Sequence, residues 1–268
     1  MKKVNLIGGV DSFGVAYTRD NKEHIGHLDI VKDYLERYFD SVSMIDMYSM
    51  STYNNTEYVN ELLDKNLVFY TIKLNQRQSI DLCRESGLFQ FVQLPKKTKD
   101  LYIFNETDKE QRINDFISYD NTIFVYSCGV NDFLGMMDTD LAKMLSPKNM
   151  KKVFEGIDIT ICKVVELVRD NFERLLAINS ELEIYVLGVY IPTKYSYIRK
   201  MVTSPIKKFN VALCELCSQY DTIHFVDNFN LTVNEMASVD WHPNRYGQRM
   251  IGQNIVSTIK SKSKILVK

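Results

Sequence analysis

The chain carries almost no net charge: 33 lysines and arginines stand against 34 aspartates and glutamates, a formal balance of −1. Holding a phosphate backbone takes a positive field, so the balance argues against nucleic acid as a partner. The lysines between positions 260 and 268 read as a solvated tail rather than a basic patch. Long apolar runs are missing as well, and no stretch approaches the ~18 residues of a membrane span. The opening Met1-Lys2-Lys3 and its few apolar followers break at Asp11 with no small-residue cleavage site, unlike a secretory signal. Five cysteines, an odd number in no regular framework, argue against a disulfide scaffold and for a reducing compartment. A cytoplasmic location is the expectation. Cys214-x-x-Cys217 has no second Cys/His pair at finger spacing and sits in an amphipathic pattern, so it reads as two small residues on a helix. No internal repeat or low-complexity tract is present.

What remains is an ordinary globular composition, 45% hydrophobic and 25% charged over 268 residues, enough to bury a full core as a single domain. Short β-rich runs at 4–8, 42–46, 122–127, 184–188 and 223–227 alternate with helical patterns at 27–38, 150–179, 206–220 and 247–260. Strands separated by amphipathic helices predict a parallel sheet covered on both faces, with the site at the carboxyl ends of the strands. Residues 54–120 break the alternation. Apolar, aromatic stretches there are interleaved with charged ones such as Lys96-Lys97-Thr98-Lys99-Asp100. They read as an insertion between the second and third core strands, either a packed cap or a lid.

Three distant segments at or near strand ends each carry one part of a hydrolytic site. The first strand runs into Gly9-Val10-Asp11-Ser12-Phe13-Gly14. A serine at a tight strand-to-helix turn presents its hydroxyl away from the sheet, although Asp11 or Ser12 as a plain helix cap spells the same way. The third strand runs into Gly129-Val130-Asn131-Asp132, where the Asn131 amide is placed to donate to an oxyanion, or where Gly, Asn and Asp simply make a turn. Before the last helix comes Asp240-Trp241-His242-Pro243-Asn244. His242 fits a general base, with Asp240 two residues earlier to fix its tautomer. Acyl transfer requires this set: a nucleophile, a base, a group that orients the base, and oxyanion donors.

Competing chemistries fare worse. Gly8, Gly9 and Gly14 do not spell a dinucleotide-binding loop, and Asp11 would repel a pyrophosphate. No third ligand at motif spacing joins Asp240 and His242, so a metal site is unsupported. His24 and His27 flank a helix start and His224 alternates within a strand; these three read as surface or packing residues.

Taken together, the segments resemble the SGNH/GDSL hydrolase superfamily of esterases, lipases and acyltransferases. Asp11-Ser12-Phe13 matches the end of the family's first block, Gly129-Val130-Asn131-Asp132 matches its G-x-N-D block in full, and His242, Pro243, Asn244 and Gly247 match its final block. The resemblance covers residues 1 to about 53 and 121–260. It implies a three-layer, flavodoxin-like α/β sandwich around a parallel sheet of about five strands. It implies Ser12 as nucleophile, His242 as general base, Asp240 as its orienter, and an oxyanion hole of the Ser12 N–H and Asn131, without a cofactor. Three departures stand out. Val10 replaces the glycine before the aspartate; the acid–base spacing is D-x-H rather than D-x-x-H; and no glycine follows the second strand, where Ser49 takes the equivalent position for a third oxyanion donor.

The function implied is hydrolysis of a small acyl ester such as an acetyl group, on a small molecule or a glycan, through an acyl-enzyme on Ser12. An O-acyltransferase with the same triad and an inactive binding protein that keeps the fold are the alternatives. Oligomeric state is not legible from the chain.

Overall fold

A computed structural model describes residues 2–8, 26–46, 117–127, 147–191, 196–230 and 243–267. Along the chain run β1 (Lys3–Gly8), α1 (His27–Leu35), β2 (Ser41–Asp46), β3 (Thr122–Ser127), α2 (Pro147–Ile178), β4 (Glu183–Leu187), α3 (Ser196–Cys217), β5 (Ile223–Val226) and α4 (Arg245–Lys262). The five strands form one all-parallel sheet in the order β2-β1-β3-β4-β5.

Successive strand residues face opposite sides, and both sides are covered, which is why the strands read as nearly unbroken apolar runs. Val4, Leu6, Ile123, Val125, Tyr185 and Leu187 join Leu28, Val31 and Leu35 of α1 and Ile251, Ile255 and Ile259 of α4 in one core. Phe124, Tyr126, Ile184 and Val186 point the other way, onto Val168, Phe172 and Leu175 of α2 and Ile206, Phe209 and Leu213 of α3. The second core holds an edge-to-face chain of rings, Phe124–Tyr126–Phe172–Tyr220, with centroids 5.6 to 5.8 Å apart. Such contacts add about 0.5–1.5 kcal/mol each beyond area burial. The result is the expected three-layer sandwich.

Polar side chains pin the strand ends. Asn210 of α3 brackets Val189, accepting its N–H at 2.8 Å and donating to its carbonyl at 2.7 Å, just past β4. Gly188 precedes it, outside the strand that was expected to include it. An added Cβ there would meet the Phe225 ring at 2.7 Å, so only glycine fits beside β5. At the opposite edge, the Lys2 N–H donates to the Asp40 carboxylate at 2.7 Å and Asp40 N–H to the Lys2 carbonyl at 2.8 Å, tying the starts of β1 and β2.

Two expectations need correction. Helix α3 begins at Ser196, ten residues before the expected start at 206, and runs through Pro205. An interior proline costs about 3 kcal/mol; the burial of Val202, Pro205, Ile206 and Phe209 on one side offsets it. The lysine-rich end is not a free tail either. Lys260 and Lys262 belong to α4, Ile265 is buried, and the backbone after the helix is docked on β4. Lys260, Lys262 and Lys264 reach solvent, while Ile265 and the N–H groups of Lys264 and Ile265 turn inward.

The CxxC pair lies on α3 as expected, with Cys214 exposed and Cys217 buried. Burial pushes the Cys217 thiol up to about 12, which leaves it inert. Among the described residues no helix is long and apolar enough to cross a membrane. Most of the 54–120 insertion lies outside the described residues.

Candidate functional site

In this sheet the chain goes from β1 outward to β2 and then crosses back to β3 on the other side of β1. Open parallel sheets bind ligands beyond the carboxyl ends of their strands where the order reverses, here between β1 and β3. The strand ends step there: Gly8 pairs with Asp46 on one side and Val125 on the other, while β3 runs two residues further to Ser127, which pairs with Leu187, which pairs with Val226.

Two helix starts face the same edge. Helix α1 ends near Asp40 and Lys2, at the amino edge, so its first residue, His27, lies about 13 Å away toward the carboxyl edge. Helix α4 likewise ends where residues 264 and 265 meet Glu183, the first residue of β4, while its Asn254 donates to the Asp227 carbonyl and Asn228 Oδ1 just beyond β5. Asn244 and Gln248 therefore lie at the carboxyl edge.

Each start is capped for a stated reason. The first N–H groups of a helix have no partner inside it. On α4 the Asn244 side chain accepts from Tyr246 N–H at 2.9 Å and Gly247 N–H at 3.1 Å, so the H-P-N sequence ends in an N-cap. On α1 the N-cap is Gly26, which has no side chain to offer. Asp29 reaches back to accept the Gly26 N–H at 2.7 Å, and the His27 N–H goes to another helix altogether, to Gln248 Oε1 at 3.1 Å.

The same Gln248 oxygen lies 2.7 Å from His27 Nδ1. Because that oxygen already accepts a backbone N–H, it accepts from the ring too, and the proton sits on Nδ1. Nε2 is then a bare acceptor, buried and without a partner among the described residues. Burial lowers the imidazole to about 4 and the bond to Gln248 only partly opposes this, so His27 is neutral at pH 7. An orphaned buried acceptor costs about 1–3 kcal/mol. The sequence reading of His27 as a surface or packing residue missed this bond, since no local pattern connects residues 221 positions apart.

Ser12, Ser49, Asn131, Asp240 and His242 lie outside the described residues, so the structure neither brings them together nor separates them. It supplies their points of departure. Ser12 comes four residues after the end of β1, Ser49 three after β2, Asn131 four after β3, and His242 two before the α4 cap. His224, half-buried in β5, has its ring tilted against that of Tyr185 with centroids 5.2 Å apart. No group of three His, Cys, Asp or Glu suited to a metal occurs among the described residues.

No family model matches the chain, and no curated protein matches it in sequence. Solved structures do. The lipase Lip_vut3 from a goat rumen metagenome superimposes with a TM-score of 0.61 at 13% identity, over 99% of this chain and 100% of that one. The extracellular lipase of Streptomyces rimosus gives 0.52 at 10%, covering 98% and 100%. Phospholipase A1 of Streptomyces albidoflavus NA297 gives 0.51 at 10%, covering 98% and 99%. At such identities the likeness speaks for the path of the backbone alone, and with the sheet order it shows that this chain has the fold of the SGNH/GDSL-type hydrolases.

Proposed function

We propose that the protein is a serine ester hydrolase acting on a small acyl ester at the carboxyl edge of its sheet. The observation that carries this reading is the reversal of strand order between β1 and β3, the two strands whose following segments contain Ser12 and Asn131. Adjacent strands are ~4.8 Å apart and four residues of chain span at most ~14 Å, so both residues are within reach of one substrate carbonyl. The α4 cap at the same edge gives His242 the same access, and the family fold makes ester chemistry the expected use of these residues.

In this reading the Ser12 hydroxyl attacks the ester carbonyl carbon as His242 takes its proton. Asp240 holds the imidazole in the tautomer that can accept it. The tetrahedral oxyanion accepts hydrogen bonds from the Ser12 N–H, the Asn131 amide and the Ser49 N–H. Collapse expels the alcohol, which leaves with the proton from His242, and the acyl group stays on Ser12. Water then attacks the acyl-enzyme, giving its proton to His242, and the second collapse returns that proton to Ser12 as the carboxylic acid departs.

Turnover of a chromogenic acetyl ester by the wild type and by Ser12→Ala tests the reading. A loss of about 10⁶-fold in a folded Ser12→Ala variant is the scale of a comparable triad. Equal turnover by the two proteins removes Ser12 from the mechanism.

A further inference from the structure

The segments carrying Ser12 and His242 each run into a helix, 9–25 into α1 and 231–242 into α4. One buried pair ties the starts of those helices together. His27 is 2% exposed and Gln248 8% exposed, and the single oxygen Gln248 Oε1 accepts both the backbone N–H and the Nδ1–H of His27. The helices are also in direct contact one turn further along. A Cβ on Gly252 would lie 2.8 and 2.9 Å from Ile30 atoms and 3.1 Å from the His27 carbonyl oxygen. Sliding α1 along or away from α4 therefore breaks two hydrogen bonds or drives backbone into side chain.

Packing alone does not account for an imidazole at this place. A leucine would fill it without burying the bare Nε2 acceptor. What leucine lacks is the Nδ1 donor, the group that adds a directional bond to the glutamine of the other helix.

We infer that His27 and Gln248 are positioning residues, which set the distance between the nucleophile segment and the base segment by locking the start of α1 to the start of α4. The inference rests on the ester-hydrolase reading. A misplacement of about 1 Å between reacting groups costs about 10²-fold in rate, so a modest slip at this pair has a catalytic signature out of proportion to its structural one.

The test is kcat and KM for an acetyl ester with the wild type, His27→Leu, His27→Asn and Gln248→Met, each with its thermal unfolding curve. His27→Asn keeps an amide donor where Nδ1 stands. His27→Leu and Gln248→Met are expected to lose about 10- to 100-fold in kcat while KM stays within about 3-fold. His27→Asn restores most of the loss, and the double variant His27→Leu/Gln248→Met is no worse than Gln248→Met alone, because that substitution already removes the bond His27→Leu breaks. A folded His27→Leu with wild-type kcat overturns the inference, as does a His27→Asn that is as impaired as His27→Leu. If His27→Leu does not fold, Gln248→Met decides: wild-type kcat in that variant overturns it. A wild type without turnover sinks the ester-hydrolase reading itself, and the inference with it; an active wild type beside unaffected variants sinks the inference alone.

Discussion

Glu183, buried at the start of β4, accepts the backbone N–H of Ile265 at 3.1 Å, closing the last turn of the chain onto the sheet. The same oxygen takes the Lys264 N–H at 2.5 Å, and the other carboxylate oxygen takes the Tyr185 hydroxyl at 2.8 Å. Burial and the adjacent Glu183 charge raise the Tyr185 phenol far above its ordinary value, so it stays a donor at any working pH. Glu183→Ala orphans three donors at once. At about 1–3 kcal/mol for each unsatisfied buried group, a loss of about 3 kcal/mol or more is expected in urea unfolding. A chain ending at Lys262 should lose stability as well, because it removes Ile265 and leaves the carboxylate short of two partners. Unchanged midpoints would mean that the docked end contributes nothing to the fold.

Gly252→Ala is expected to destabilise, although alanine is the better helix former by about 1 kcal/mol. The added methyl has no room: its nearest neighbours include Ile30 Cβ and the His27 carbonyl, neither of which is the free end of a flexible side chain. Overpacking of this kind costs about 1–3 kcal/mol. A raised melting temperature would contradict the close approach of α1 and α4.

Acid should expose His27. Its imidazole is held down to about 4 in the fold from an ordinary 6.5, so between those values the unfolded chain binds the proton that the folded chain refuses. The contribution is intact above pH 6.5, declines as pH falls, and is fully lost below about 4. At ~1.4 kcal/mol per pH unit the depression is worth about 3 kcal/mol. His224, also lowered by burial, acts in the same direction and is common to both proteins in a comparison of wild type with His27→Leu. The variant is expected to show the flatter acid limb in unfolding free energy measured from pH 7.5 to 4. Parallel curves would place the His27 proton in solvent contact.

The oxyanion and the base have their own tests. Asn131→Ala is expected to lower kcat about 10²- to 10³-fold with little change in melting temperature. An unaltered rate would put the oxyanion elsewhere. Asp240→Asn probes the shortened D-x-H spacing: a fall of about 10⁴-fold is the scale for a triad acid, whereas near-normal turnover would show that another group orients His242.

Much of this architecture was legible because parallel strands advertise themselves. Ile123-Phe124-Val125-Tyr126 is apolar at every position since both faces of β3 are covered, and the expected strands agree with the observed ones to within a residue at each end. The start of helix α3 lies ten residues before the one the sequence suggests because local propensity weighs Pro205 heavily and cannot see the core that Val202 and Ile206 fill on either side of it. The docking of Ile265 on Glu183 and the bond from His27 to Gln248 had no sequence signal, since each joins residues about 80 or more apart through a single polar atom. At the site, the motifs named Ser12, Asn131, Asp240 and His242, while the fold shows where their segments depart.

The most direct measurement is labelling with a fluorophosphonate probe, which reacts covalently with an activated serine. Wild type, Ser12→Ala and His242→Ala are compared after each is shown to unfold cooperatively. The account predicts labelling of the wild type, with none in Ser12→Ala and a much slower reaction in His242→Ala. A folded wild type that takes up no probe, or a Ser12→Ala protein that takes it up as the wild type does, would contradict it.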